Sequence, residues 1–213
     1  MNDYLTVALP KGKLFGLSTE LFKKVGLTAE GLTEKSRKLV ITNEDARLKF
    51  VITKTADVPT FVEYGAADIG VIGKDVIEES GKDIYELLDL GFGKCHLMMA
   101  VPKDKQRPKL EDYSHTRVAT KFPNTAEKFF TSRGMQMEYI KLNGSIELGP
   151  IIGLSESIVD IVETGTTLRE NNLVEIVSIM DATARLIANR VSYKLKFARI
   201  NKLVEDLRFF LLA

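Results

Sequence analysis

The chain has 213 residues, of which 45% are hydrophobic and 28% charged, and a formal net charge of +1. That length supports one large domain or two smaller ones with real cores, and the near-neutral balance excludes the global basic field of a nucleic-acid binder. The one cysteine, Cys95, excludes an intramolecular disulfide framework, and no apolar run approaches the ~20 residues of a membrane-spanning helix. Met1-Asn2-Asp3-Tyr4 lacks the basic-then-apolar pattern of a signal peptide, so the expectation is a cytoplasmic chain that meets neither membrane nor nucleic acid.

Residues 5–9 are an apolar run of the kind a buried parallel strand shows. Pro10-Lys11-Gly12-Lys13 breaks it, and Leu14, Leu17, Leu21 and Val25 then recur at helical spacing up to Gly26. Two lysines at a helix start oppose the helix dipole, so they are either solvated or matched to an anionic ligand. Residues 29–38 read as polar and irregular, and residues 39–42 and 48–53 as strands around Asn43-Glu44-Asp45. Asp57 is placed to cap a helix with Pro59 in its first turn; Phe61, Val62 and Tyr64 supply its apolar surface and Gly65 its end. Residues 68–73 form the next strand, and Lys74-Asp75 opens a short helix that ends at Gly81. This alternation predicts an α/β layer on a largely parallel sheet.

Residues 87–92 and 97–101 are apolar runs on either side of Gly93-Lys94-Cys95-His96, and residues 102–108 read as a charged, solvated loop. The rhythm then restarts with a strand over residues 117–120. Asn124 is placed to cap a helix carrying Ala126, Phe129 and Phe130, and residues 135–142 form a strand. A short helix begins within Gly144-Ser145-Ile146-Glu147-Leu148 and stops by Gly153, and residues 158–162 form another strand. Residues 174–180 are β-rich, and the remainder reads as helical, with Ile200, Leu203, Val204, Leu207 and Leu211 on one face. Two α/β layers in succession predict two lobes, residues 1–90 with 180–213 and residues 91–179, with a ligand cleft between them.

The strongest chemical signal is Asp160-Ile161-Val162-Glu163-Thr164-Gly165-Thr166-Thr167-Leu168. It reads as a strand, an acidic tip, a small-residue turn and a helix start. Helix-start amides and threonine hydroxyls suit a phosphate, Gly165 lets backbone approach it, and Asp160 and Glu163 are placed for sugar hydroxyls. The loop is not a Walker P-loop, because no Gly-Lys-Ser/Thr follows. It resembles the phosphoribosyl-pyrophosphate loop of phosphoribosyltransferases, although taken alone it is also compatible with a plain turn capped by threonines.

Further motifs extend the resemblance over nearly the whole chain. They are Leu9-Pro10-Lys11-Gly12-Lys13-Leu14, Ser36-Arg37-Lys38-Leu39, Ala56-Asp57-Val58-Pro59, Gly65-Ala66-Ala67-Asp68-Ile69-Gly70, Gly73-Lys74-Asp75-Val76 and Gly93-Lys94-Cys95. Ala119-Thr120-Lys121-Phe122-Pro123-Asn124, Asn143-Gly144-Ser145-Ile146-Glu147-Leu148 and Ala184-Arg185-Leu186-Ile187-Ala188-Asn189 complete the series. In this order they resemble the short form of ATP phosphoribosyltransferase, the catalytic subunit of the first step of histidine biosynthesis. The resemblance implies an α/β fold with two lobes like a type II periplasmic binding protein. It implies transfer of the phosphoribosyl group of phosphoribosyl pyrophosphate to N1 of ATP, with magnesium held mainly by substrate oxygens and no protein metal cage. It also implies a histidyl-tRNA-synthetase-like regulatory subunit, with the chain as a homodimer within a hetero-oligomer.

On this resemblance Asp160, Glu163, Thr164, Gly165, Thr166, Thr167 and Leu168 bind phosphoribosyl pyrophosphate. Arg37 and Lys13 are the catalytic candidates, and Lys11, Lys54, Gly73, Lys74, Asp75 and Glu147 contact ATP or pyrophosphate. Lys13 and Lys54 stand where relatives often have arginine, which removes a bidentate fork at both positions. No general base is required, because adenine N1 carries a lone pair at neutral pH. His96, His115 and Cys95 read as structural or solvated groups. Two other readings stay open: a cytosolic two-lobed sensor of small anions without catalysis, and a nucleobase phosphoribosyltransferase.

Overall fold

A computed structural model describes residues 4–212. The chain divides into two compact units, one formed by residues up to Gly93 together with those from Thr183 onward, the other by Lys94–Ala182. The first unit begins with β1 (Leu5–Pro10), α1 (Lys13–Lys24), β2 (Val40–Asn43), β3 (Leu48–Thr53), α2 (Val58–Glu63), β4 (Ile69–Gly73), α3 (Lys74–Ser80) and β5 (Tyr85–Asp89). The second contains β6 (Cys95–Pro102), β7 (Arg117–Thr120), α4 (Pro123–Thr131), β8 (Glu138–Lys141), α5 (Leu148–Ile151), β9 (Ser157–Val162), α6 (Thr166–Glu170) and β10 (Leu173–Ala182). The chain then completes the first unit with β11 (Ala184–Ala188), α7 (Arg190–Leu195) and α8 (Phe197–Leu212). No described helix is long and apolar enough to cross a membrane.

The first sheet has the order β2-β3-β1-β4-β11-β5 and the second β10-β6-β9-β7-β8. Both are mixed, which corrects the expected largely parallel sheet. β1 runs parallel to β3 and β4, and β7 parallel to β8 and β9, while the other pairs are antiparallel. The turn between Asn43 and Leu48 is too short for the crossover a parallel pair needs, so β2 and β3 form a hairpin. All six residues of β1 are buried, as expected of a strand covered on both faces. Leu5, Val7 and Leu9 pack with Phe22 of α1 and Ile200 and Leu207 of α8. On the opposite face, Ala8 packs with Val58 and Val62 of α2.

Several local expectations are corrected. Residues 184–188 are not helical but form β11, which lies between β4 and β5. Ala, Arg and Leu favour a helix locally, but burial of this segment within the sheet overrides that preference. Asp57 does not cap α2 through its side chain, because a 3-10 turn at Thr55–Asp57 runs straight into the helix. Asn124 is not the cap of α4, which begins at Pro123 with Phe122 in the cap position. The buried hydroxyl of Thr120 instead ties this corner, donating to the Val159 carbonyl at 2.6 Å and accepting the Phe122 N–H at 2.9 Å. β8 covers only residues 138–141 of the expected strand over 135–142, matching the four residues its neighbour β7 offers. Tyr64 is 78% exposed rather than part of an apolar face, with the Lys82 ammonium 5.7 Å from its ring centre. In α1 the buried face centres on Phe15, Ser18, Leu21 and Phe22. The expected charged loop begins with an exposed 3-10 turn at Lys103–Lys105.

Candidate active site

β9 enters the site from the core. Its first three residues are buried, Asp160 and Ile161 are half-buried, and Glu163 and Thr164 are exposed beyond its end. Gly165 then takes a left-handed conformation, φ 70° and ψ 6°, immediately before α6. A residue without Cβ is suited to that turn. Leu168 is buried beside Val162 and Leu173, so its side chain anchors the loop rather than facing a ligand. Thr166 and Thr167 stay exposed. The hydroxyls of Thr164 and Thr166 lie 3.2 Å apart, and Arg169 Nη2 donates to Thr166 Oγ1 at 3.1 Å.

A cavity of about 320 Å³ opens here, lined by Glu147, Ile158 and all nine residues from Asp160 to Leu168. Its volume falls at the lower end of small-molecule sites. The loop residues named from sequence are thus brought together, and Glu147 joins them from the turn before α5. Burial raises the pKa of Asp160; nearby Glu147 raises it further, while the Ile161 backbone N–H and Lys121 act in the opposite direction. A half-buried carboxylate short of donors is well matched to incoming hydroxyls.

The remaining candidates lie in the first unit. β1, β3 and β4 are parallel, so their carboxyl ends share one edge of the sheet. Lys11 follows β1, Lys54 follows β3 and Lys74 follows β4; the Lys11 N–H donates to the Thr53 carbonyl at 2.9 Å. The Ile52 N–H donates to the Leu39 carbonyl at 2.8 Å, which brings the segment carrying Arg37 to that same edge. Lys11, Lys13, Arg37 and Lys54 are all exposed. Such an edge, outside the carboxyl ends of parallel strands, is where α/β proteins place ligands.

Gly73, Lys74 and Asp75 are more firmly tied into the fold. Lys74 Nζ lies 2.9 Å from Glu78 and 2.7 Å from Glu86. Burial acts to lower its pKa, but the two carboxylates outweigh this and hold it above the ordinary lysine value. Asp75 is buried, and a Cβ at Gly73 would stand 2.1 Å from its Oδ1, so the side chain folds back over the start of its own helix. His96 Nδ1 pairs with Asp181 Oδ1 at 2.6 Å, and both side chains are exposed. The His115 backbone N–H donates to the Gln136 carbonyl at 2.6 Å within a loop. Cys95 is buried at the start of β6.

Sequence reading missed Arg169 and Lys121 as neighbours of the loop. Arg169 carries a local signal, since residues three apart on a helix face each other, but that spacing speaks only once α6 is known to begin at Thr166. Among the described residues no group of three or more His, Cys, Asp or Glu is placed to hold a metal ion.

Residues 54–209 match the family model described as ATP phosphoribosyltransferase. The ATP phosphoribosyltransferase of Desulfitobacterium hafniense strain Y51 is 55% identical over 214 residues, covering 97% of this chain and 96% of that one. A chain of the ATP phosphoribosyl transferase (HisG:HisZ) complex from Thermotoga maritima is 33% identical, with a TM-score of 0.84 over 97% of this chain and 98% of that one. The substrate binding protein of an amino acid ABC transporter shares the fold, with a TM-score of 0.60 at 12% identity over 96% of this chain and 93% of that one. These matches span both units and include the loop after β9, and the chain belongs to the ATP phosphoribosyltransferase family.

Proposed function

We propose that this chain transfers the phosphoribosyl group of phosphoribosyl pyrophosphate to N1 of ATP, releasing pyrophosphate, in the first step of histidine biosynthesis. The observation that carries the assignment of the site is the cavity at the end of β9, whose lining brings the loop from Thr164 to Leu168 together with Asp160 and Glu163. The loop from Thr164 to Leu168 takes the 5′-phosphate through amides and hydroxyls, and the two carboxylates take the ribose hydroxyls. Arg37 and Lys13 stabilise the charge that develops on the departing pyrophosphate, while Lys11 and Lys54 contact the phosphates of ATP. Gly73 and Asp75 shape the end of β4, and Lys74, with its two carboxylate partners, is the weaker of the phosphate contacts there. Adenine N1 attacks with its own lone pair, so orientation and charge stabilisation carry the step.

A divalent metal belongs to this chemistry. Asp160, Glu163 and Glu147 offer the hard oxygen donors nearest the loop, which fits magnesium held mainly by phosphate oxygens. When bound, it neutralises phosphate charge.

The central test mixes the chain, ATP, phosphoribosyl pyrophosphate and magnesium, and looks for pyrophosphate. Turnover with free adenine in place of ATP would move the assignment to a nucleobase phosphoribosyltransferase. Binding of both substrates without product, with or without a partner, would leave an anion sensor. The chain is further assigned a HisZ-type regulatory partner, by likeness to the Thermotoga maritima complex. Histidine is expected to inhibit the paired enzyme and to leave the chain alone uninhibited. Strong inhibition of the isolated chain in a titration would count against the partner's role.

Gly165→Val is expected to weaken phosphoribosyl pyrophosphate binding at least about tenfold. A β-branched residue is strained at φ 70°, and its Cβ would stand 3.1 Å from Arg169 Nη1 and 3.3 Å from Glu175 Oε1. Calorimetry on the folded variant checks this, and undiminished affinity would detach the phosphate from the loop.

Asp160→Asn separates function from stability. Its pKa is raised in the folded protein, so its contribution to stability is greatest at low pH and is lost as pH rises through the folded value. At neutral pH the asparagine variant is therefore expected to melt no lower than the parent while binding phosphoribosyl pyrophosphate more weakly. The parent's affinity should fall on acidification before an ordinary aspartate would protonate, and the variant's should not. Matching pH profiles for the two proteins would remove Asp160 from ribose binding.

A further inference from the structure

The cavity at the end of β9 holds an electrostatic imbalance. Its lining includes the carboxyl groups of Glu147, Asp160 and Glu163 and no lysine, arginine or histidine. A phosphate monoester brings a further charge of about −1.5 to −2 at neutral pH. Loop amides supply only partial positive charge against this. Lys121 acts on Asp160. Arg169 is bonded to the loop itself, with Nη2 donating to Thr166 Oγ1 at 3.1 Å, and that oxygen lies 3.2 Å from Thr164 Oγ1. The other end of the guanidinium, Nη1, stands 3.1 Å from the point a Cβ of Gly165 would occupy. One planar cation therefore spans the loop from hydroxyl to glycine.

We infer that Arg169 is the cation that receives the 5′-phosphate together with the loop, and so selects ribose substrates that carry one. This rests on the assignment of the loop proposed above. The chemistry of the contact supports it. Thr166 accepts from Arg169 and so keeps its own hydroxyl proton to donate, which makes guanidinium, hydroxyl and phosphate a chain of charge-assisted hydrogen bonds. A guanidinium presents a planar fork that matches the oxygens of a phosphate, unlike the point charge of a lysine. The Arg169 side chain is exposed and can meet an incoming anion without leaving a hole in the core.

The test uses the full chain with its HisZ-type partner and compares Arg169→Gln with Arg169→Lys. Arg169→Gln is expected to raise the KM for phosphoribosyl pyrophosphate and the Kd for ribose 5-phosphate about tenfold, the scale of one lost charge-assisted contact. The kcat and the KM for ATP should stay within about twofold of the parent. Arg169→Lys should recover part of the loss, because it restores the charge without the fork. An unchanged KM for phosphoribosyl pyrophosphate, or equal losses for both substrates, would overturn the inference in favour of a merely structural side chain. Thr167→Val is measured in parallel. If it weakens ribose 5-phosphate binding and Arg169→Gln does not, only the role of Arg169 falls. If neither variant weakens it, the loop assignment falls and takes Arg169 with it.

Discussion

Replacing Arg37 with alanine is expected to lower kcat by about 10²–10³-fold while changing both KM values only a few-fold, the signature of a contact made chiefly in the transition state. The other arginines of the first unit are already committed or placed elsewhere. Arg185 is held by Glu86 and Asp89, Arg190 by Asp83 and Arg208 by Glu205. Arg199 is bonded to the carbonyls of Ala46 and Arg47, and Arg47 itself lies on the β2–β3 turn, next to the start of β1. Arg37, by contrast, makes no ion pair or hydrogen bond among the described residues through its exposed side chain, and it lies at the carboxyl edge of β3. Arg37 thus offers an uncommitted planar fork on the edge that also carries Lys11 and Lys54, whereas Arg185, beside the end of β4, is committed to its carboxylates, and a departing pyrophosphate gains charge on the oxygen such a fork can grip. Because the side chain is exposed, its loss should leave the melting temperature nearly unchanged. Rapid-quench single turnovers isolate the chemical step; an unchanged rate there, with a raised KM, would make Arg37 an ordinary binding residue. Arg37→Lys should recover only part of the rate, since the charge returns without the fork.

What the sequence makes legible follows the range of the forces involved. β1 and β9 announce themselves as short apolar runs because β1 is buried throughout and β9 over its first three residues. The loop after β9 is legible because each of its features is local: a glycine for positive φ, threonines for hydroxyls, carboxylates at the tip. β11 is not legible, because Ala184, Arg185, Leu186 and Ala188 favour a helix in isolation and the segment becomes a strand only between β4 and β5. The caps at Asp57 and Asn124 failed for a similar reason. Both residue types suit a helix start, but Asp57, though in the cap position of α2, closes a 3-10 turn and makes no side-chain cap bond, and α4 starts at Pro123, one residue before Asn124. Lys74 is a phosphate candidate through the family resemblance, yet its partner Glu86 lies on β5, which no local pattern connects to it. Arg169 lies one residue beyond the motif that ends at Leu168.

The largest loss of stability is expected at a residue with no part in the chemistry. Asp68 precedes β4 and is 6% exposed. Its Oδ2 accepts the Thr6 N–H at 2.7 Å and the Lys196 ammonium at 2.6 Å, and the same ammonium donates to the Tyr4 carbonyl at 2.6 Å. Its backbone adds bonds from the Asp68 N–H to Thr6 and from the Asn189 N–H to the Asp68 carbonyl, both 2.9 Å. One carboxylate thus fastens β1, the entry to β4 and the returning α7–α8 segment. Asp68→Ala leaves the Thr6 N–H without this acceptor and the Lys196 ammonium without its counter-charge, with only the Tyr4 carbonyl, at a cost of about 3–5 kcal/mol. That is a large share of the ~5–15 kcal/mol that holds a typical protein folded. Urea unfolding should show a lowered midpoint. Lys196→Met should also destabilise, by stranding the buried carboxylate. If the carboxylate and ammonium depend on each other, the double variant Asp68→Ala/Lys196→Met should lose less than the sum of the single losses, with a coupling of about 1–3 kcal/mol. Strict additivity would show that Asp68 stabilises the fold through Thr6 alone, and Lys196 through Tyr4.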